Sequence, residues 1–387
     1  MAGGHSSKAT WQWRPFHVIV GLIFLAGLII TVLRFTGGLA SVTNLDDNNP
    51  WGLWIGFDLL CGVALAAGGY VTSAACYIFG LKRYHVAVRP AILTAFLGYA
   101  LVVLALHYDV GRFWRLPYPI FVSQGTTSVL FEVGLCVFLY LSVLFLEFSP
   151  AALEWLGWNK VRALVVKLTL VLTIFGVILS TLHQSSLGAL FLIAPSKLHP
   201  LWYSGYLPVY FFVSSIFAGM SMVIFESSLS HRYLHRKMDE KHIRESHEVA
   251  FGFGKAASFL MIGYLGIKLV GLAMDNTWEY LASSWGAWFL LELIGFVALP
   301  AFLFAVAVRD KNLKLVRFSA VLSVLGLILN RFNISLIAFN WHLPAAERYF
   351  PSWMEIVLSI FIVTLGVAAY RFACIRMPIL YDHPDYS

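Results

Sequence analysis

The sequence predicts an all-α integral membrane protein with about ten transmembrane helices. Hydrophobic residues make up 59% of its 387 positions and charged residues only 12%, against roughly 25% charged in a soluble globular domain. Apolar runs of about 20 residues, enough to cross a hydrocarbon core roughly 30 Å thick, recur along nearly the whole chain. The runs are continuously apolar, which argues against the alternating strands of a barrel. Backbone groups in lipid must then be satisfied within helices.

The first run, 16–35, lacks a small-residue cleavage site and is followed by many others, so it reads as a span and not as a cleavable signal. The second, 53–81, carries Trp54 and Asp58. The third, 90–108, ends at His107 and Asp109, and the fourth, 126–148, has Glu132 near its middle and Glu147 near its end. The fifth, 163–182, is closed by His183, Gln184, Ser185 and Ser186. The sixth, 206–229, holds Glu226; the seventh, 249–273, holds Lys255 and Lys268, which would snorkel or pair, and stops before Asp275. Glu292 lies in the eighth, 285–308, and Arg331 in the ninth, 318–339; the tenth is 352–373.

Orientation follows from the connections. Alternate ones carry Lys8 and Arg14; Lys82, Arg83 and Arg89; Lys160, Arg162 and Lys167; Arg232, Arg236, Lys237, Lys241 and Arg244; Arg309, Lys311, Lys314 and Arg317; then Arg371 and Arg376. The other side offers only Arg112, Arg115, Lys197 and Arg348, an asymmetry that puts both termini in the cytoplasm. The net charge of +7 is therefore mostly a topology signal, and no nucleic-acid partner is needed to explain it.

The chain reads as one polytopic domain, 1–387, made of two four-helix bundles. Spans two to five (52–183) and six to nine (206–339) would form the bundles, and spans one and ten would flank them. Weak internal similarity supports the division. Asp109 and Asp275 close the corresponding third and seventh spans, Glu132 matches Glu292 one span further on, and His183 and Arg331 occupy comparable ends of the next. The compared spans run in the same direction, as in parallel repeats.

Cys61, Cys76, Cys136 and Cys374 show neither Cys-x-x-Cys nor Cys-x-x-Cys-His spacing, so no iron–sulfur cluster and no covalent haem is expected. Of the histidines, only His107 and His183 fall at span ends, both on one side, whereas a two-haem anchor wants two ligand pairs. No metal site is expected.

The polar residues inside apolar runs carry the chemical expectation, because ionisable groups in a membrane are costly and usually functional. Asp109 and Arg112 lie within a turn of each other, and His183, Gln184 and Ser185 are expected at the same membrane level. This set suits a quinone head group, whose reduction needs two electrons, two protons and donors at both carbonyl oxygens. Glu132, Asp58 and Glu147 would serve a proton path, or act as protonated hydrogen-bond donors between helices. Glu292 and Arg331 could form a buried ion pair, with Asp275 as a further polar residue of the second bundle.

The runs Pro50-Trp-Gly-Leu-Trp-Ile-Gly-Phe-Asp, Asp109-Val-Gly-Arg-Phe-Trp, Ser128-Val-Leu-Phe-Glu-Val-Gly and Leu182-His-Gln-Ser-Ser-Leu-Gly resemble HybB-type subunits of uptake hydrogenases, within the wider family named after NrfD. The resemblance covers about 51–381. It implies a multi-pass subunit of the bacterial inner membrane that carries no haem or iron–sulfur cluster and works with menaquinone near the periplasmic face. Its implied partners are a periplasmic ferredoxin-like iron–sulfur subunit, a multihaem cytochrome c or hydrogenase, and further membrane subunits. On the resemblance, Asp109, Arg112, His183, Gln184, Ser185 and Trp54 fall in runs near the quinone pocket and Glu132 on an acid that moves protons. A secondary transporter and a purely structural anchor are the alternatives.

Overall fold

Once an apolar run is long enough to cross a bilayer, its backbone closes into a helix, and the computed structural model, described here over residues 15–380, forms ten such helices. They are α1 (Pro15–Gly37), α2 (Trp54–Ile78), α3 (His85–Asp109), α4 (Val129–Trp155), α6 (Thr169–Leu190), α7 (Leu207–Tyr233), α8 (Glu240–Met274), α9 (Ser284–Arg309), α10 (Leu313–Ile337) and α11 (Trp353–Arg376). A shorter helix, α5 (Asn159–Lys167), precedes α6. Lys8 and Arg14, two of the cations used for orientation, lie outside the described residues.

Four spans pack in sequence, α2 on α3, α3 on α4, α4 on α6, with α6 returning to α2. Likewise α7 packs on α8, α8 on α9, α9 on α10, and α10 returns to α7. The two sets meet where α2 and α6 lie against α7, and α1 pairs with α11, which leans on α3. One continuous apolar core runs through both sets, from Leu59 to Phe339.

The α2–α7 crossing depends on two glycines. A Cβ on Gly219 would stand 2.5 Å from the Gly68 nitrogen, and one on Gly68 would stand 2.8 Å from the Gly219 carbonyl oxygen. Only hydrogen fits between these backbones.

Three spans widen locally to i→i+5 turns: α2 over Trp54–Leu59 and Ala74–Ile78, α9 over Leu291–Ala298, and the end of α10 over Asn333–Ile337. Such turns are rare and frequent at functional positions. Here they carry Asp58, Glu292 and Asn333.

The fifth span departs most from expectation. Lys160, Arg162 and Lys167 recur through Asn159–Lys167, which forms the separate α5 with its residues exposed or half-buried. The span starts only at Thr169 and runs past His183 to Leu190. His183 therefore sits two turns inside the helix, because its polar run points inward and does not end it.

Candidate functional site

At the Lys/Arg-poor end, four helix ends converge. α1 brings Arg34, buried although charged; its Nε donates to the Tyr108 carbonyl at 2.6 Å and Nη2 to the Val110 carbonyl at 3.0 Å. These are the free carbonyls at the end of α3, where a cation is favoured. The Tyr108 hydroxyl pairs with Thr31 Oγ1 at 2.9 Å. α2 starts with Trp54, 1% exposed, its ring 6.2 Å from that of Tyr108 and its Nε1 donating to the Glu355 carbonyl at 3.3 Å.

α11 begins with a capping box, Ser352 and Glu355 satisfying each other's backbone N–H groups. The Glu355 carboxylate also accepts from Asn44 N at 3.0 Å and from the Tyr349 hydroxyl. Tyr349, in the loop before α11, has its phenol pushed up by burial and by Glu355, so it stays a donor. Asp109 faces Arg34 and Glu355, and its Oδ1 is buried without a hydrogen-bond partner.

Two predicted residues, Trp54 and Asp109, thus come together, joined by Arg34, Tyr108, Tyr349 and Glu355, which sequence reasoning missed. Of these, only Glu355 left a local trace, the Ser-x-x-Glu pattern. Arg112 does not pair with Asp109: it is exposed and forms no ion pair among the described residues. Arg34 is the cation that acts on Asp109, because Arg112 lies beyond the helix end, in the turn that leaves it.

His183 is not at this level either. It is fully buried, with Nδ1 on the Tyr99 hydroxyl at 2.8 Å. Tyr99 is ten residues from Asp109 along α3, roughly 15 Å at the rise of a helix. Gln184 donates to the Val63 carbonyl at 3.1 Å, and Ser185 is half-buried.

A string of polar side chains follows through the first set of helices. Glu132 lies in the first turn of α4 and not at mid-helix, exposed, and accepts from Ser186 Oγ at 2.5 Å. Ser128 caps that helix, which extends to Trp155 and so moves Glu132 to its end. Below Tyr99 and His183, Tyr99 packs edge-on against Tyr140 at 4.6 Å, and Ser180 sits near both hydroxyls. Tyr70 Oη, Ser73 Oγ, Tyr140 Oη, Ser180 Oγ, His183 Nε2 and Gln184 Oε1 are buried without direct hydrogen bonds. At the Lys/Arg-rich end, Thr173 donates to Glu147 at 3.2 Å. Asp58 stands apart, accepting from Ser359 of α11 at 2.6 Å.

The second set of helices buries a charged network. Glu292 Oε2 accepts from Trp202 Nε1 at 2.7 Å and Asn333 Nδ2 at 2.5 Å, and Oε1 accepts from Asn330 Nδ2 at 2.6 Å. The expected direct pair with Arg331 is absent, because Asn330 stands between and accepts from Arg331 Nη1 at 2.7 Å. Arg331 also donates to Ser214 at 2.9 Å and lies 3.7 Å over the Phe211 ring. Lys268 neither snorkels nor forms an ion pair among the described residues; its ammonium lies buried 4.2 Å over the Tyr210 ring. Asp275 is exposed, beyond the end of α8, and belongs to no such network.

Above this network His199 is caged by Trp341, Trp285, Tyr280 and Trp202, ring centres 4.8 to 5.6 Å away. Its Nδ1 accepts from Leu201 N at 3.2 Å, and burial pushes the imidazole down to about 4, so it is neutral at pH 7.

Ten spans around two buried polar systems, with an aromatic–carboxylate cluster at one end, define an integral membrane protein whose interior holds titratable side chains. Residues 41–340 match the family model described as Polysulphide reductase, NrfD, and the chain belongs to that family. It is 34% identical over 371 residues to the probable Ni/Fe-hydrogenase 2 b-type cytochrome subunit of Escherichia coli, covering 94% of this chain and 92% of the relative. The menaquinone reductase integral membrane subunit of Nitratidesulfovibrio vulgaris is 28% identical over 397 residues, covering 95% and 91%. Another protein of that organism is 68% identical over 383 residues, covering 99% of both chains.

The first relative's name invokes a b-type haem. His183 Nδ1 is held by Tyr99 and His107 Nδ1 by its own helix at the Val103 carbonyl, which leaves the Nε2 of each. Tyr99 and His107 are eight residues apart along α3, roughly 12 Å, so the two rings do not face each other as an axial pair.

Proposed function

We propose that this chain is the quinone-reactive membrane subunit of a respiratory oxidoreductase complex, with the quinone head group seated among Trp54, Tyr108 and Asp109. The observation that carries this reading is the buried Asp109 Oδ1, which has no hydrogen-bond partner among the described residues, faces the charges of Arg34 and Glu355 and follows Tyr108, whose ring lies 6.2 Å from that of Trp54. A carboxyl so placed can give a proton to a quinone carbonyl oxygen as electrons arrive and be recharged afterwards. The rings of Trp54 and Tyr108 would hold the flat head group. The name of the menaquinone reductase relative supports menaquinone as the quinone.

The charge asymmetry of the loops supports a site on the periplasmic face of the inner membrane, with both termini in the cytoplasm. Electrons then pass between menaquinone and a periplasmic ferredoxin-like iron–sulfur subunit served by a hydrogenase or multihaem cytochrome c. Helices α2, α3, α4 and α6 act as one four-helix unit (52–183) and α7 to α10 as a second (206–339). The first supplies a proton route from Glu147 by Thr173, Ser180, Tyr140, Tyr99 and His183, its unbonded atoms bridged by water.

The test is Asp109→Asn in the assembled complex. General acid catalysis is worth about 10²- to 10⁴-fold, so quinone turnover should fall by about that factor while the complex still assembles. Unchanged turnover removes Asp109 from the site.

A further inference from the structure

At the Lys/Arg-rich end, α2, α3, α4, α5 and α6 surround a cavity of about 440 Å³ that the proposed redox chemistry does not use beyond Glu147. Its lining is graded. Arg89 lies in the second turn of α3, and Arg162 and Lys167 lie on α5. Deeper along the spans the lining becomes apolar, with Ile92, Leu146, Leu170 and Leu172. Leu146 and Leu170 are 40% and 51% exposed, so the apolar part communicates with the lipid-facing surface.

The rim is cationic. Arg89, Arg162 and Lys167 stand against Glu147 alone in the lining, and Glu147 is turned to Thr173. Glu154, outside the cavity, takes Arg89 at 3.1 Å and Arg162 at 3.5 Å, and Arg89 Nη1 also donates to the Pro378 carbonyl at 2.6 Å, so Lys167 is the rim's unengaged cation. Lys167 makes no ion pair or hydrogen bond among the described residues. α5 itself exposes Val161 and Leu164 beside exposed Trp155 and Trp158. That composition belongs at the head-group level of a bilayer.

We propose that this cavity is a binding site for an anionic phospholipid of the leaflet on the Lys/Arg-rich side, which the loop charges make the cytoplasmic one. The phosphodiester lies among Arg89, Arg162 and Lys167, and the first methylenes of the acyl chains lie along Ile92, Leu170 and Leu172. The volume takes a head group and the beginning of the chains, which continue into the bilayer past Leu146 and Leu170. A quinone would bring only neutral carbonyls to a rim whose three cations, Arg89, Arg162 and Lys167, outnumber the carboxylates Glu147 and Glu154. A zwitterionic lipid would bring an ammonium that the same cations repel. The bound lipid would pin α5 to the foot of α4 and α6.

The experiment is native mass spectrometry of the full chain in its complex, delipidated and then offered phosphatidylglycerol or phosphatidylcholine with identical acyl chains. The expected result is about one phosphatidylglycerol per chain, little phosphatidylcholine, and roughly tenfold lower occupancy in Lys167→Glu. Val165→Trp, which fills the cavity and leaves every charge in place, should lower occupancy as well. Equal retention of both lipids by the unaltered protein overturns the proposal without reference to any variant. Undiminished binding in both variants, or a quinone in place of the lipid, does the same.

Discussion

Glu292 is the residue on which most of the buried charge in the second set of helices depends. It is the acceptor for Trp202, Asn330 and Asn333, and the carboxylate that faces Lys268 and Arg331. Removing one partner from a buried charged network costs about 3–5 kcal/mol, since the remaining charges stay desolvated. Glu292→Ala should therefore lower the thermal midpoint of the detergent-solubilised protein by several degrees. The same substitution at exposed Asp275 should leave it unchanged, and equal effects would mean that the network stabilises nothing. The identity of these residues was readable from their place in apolar runs, but their partners were not. Asn330 as the bridge between Glu292 and Arg331 depends on how α9 and α10 are rotated. Trp54, Asp109 and Glu355 lie far apart in sequence, and only the packing of α11 on α1 and α3 brings the third to the others.

The spans themselves were legible because lipid leaves so few choices of backbone. Their ends were less so: Glu132 moved to the first turn of α4 and His183 to the interior of α6, as polar side chains near an apolar boundary can either end a helix or face its neighbours. Packing between spans was legible only in small residues, and the α2–α7 crossing at Gly68 and Gly219 is the clearest case. A side chain at Gly219 would meet the backbone of α2 at 2.5 and 2.7 Å, which neither helix can avoid by a rotamer change. Gly219→Leu should cost about 1–3 kcal/mol or more and shift the protein from a single chromatographic peak toward aggregates. Gly134 has no neighbour within 4 Å of an added Cβ, so Gly134→Leu is the matched control. Similar behaviour of the two variants would contradict the close approach.

For the molecule as a whole, a polar stripe leads from the cavity at one end toward the site at the other and stops at Tyr99, ten residues of α3 and roughly 15 Å short of Asp109. Thr173, Ser180 and Gln184 are seven and four residues apart on α6 and so share a face. With Glu147 at one end and His183 on Tyr99 further along, the stripe runs through roughly half of the bilayer's hydrocarbon thickness, about 16 Å from Thr173 to Gln184, and its unbonded atoms fall along it. If it carries the protons consumed at the quinone site, electron transfer and proton uptake draw on opposite faces of the membrane, and turnover moves charge. Glu147→Gln keeps the shape and the Thr173 contact but removes the titratable entry group. In proteoliposomes holding the complete complex, proton uptake from the Glu147 side during quinone reduction should slow at least about tenfold. Quinone chemistry driven by protons from the other side should persist at a reduced rate. Asp109→Asn should instead stop both together. If Glu147→Gln leaves the uptake measured by a dye on its own side untouched, the quinone draws its protons from the near face. The stripe would then be a set of interhelical hydrogen-bonding groups with no part in coupling.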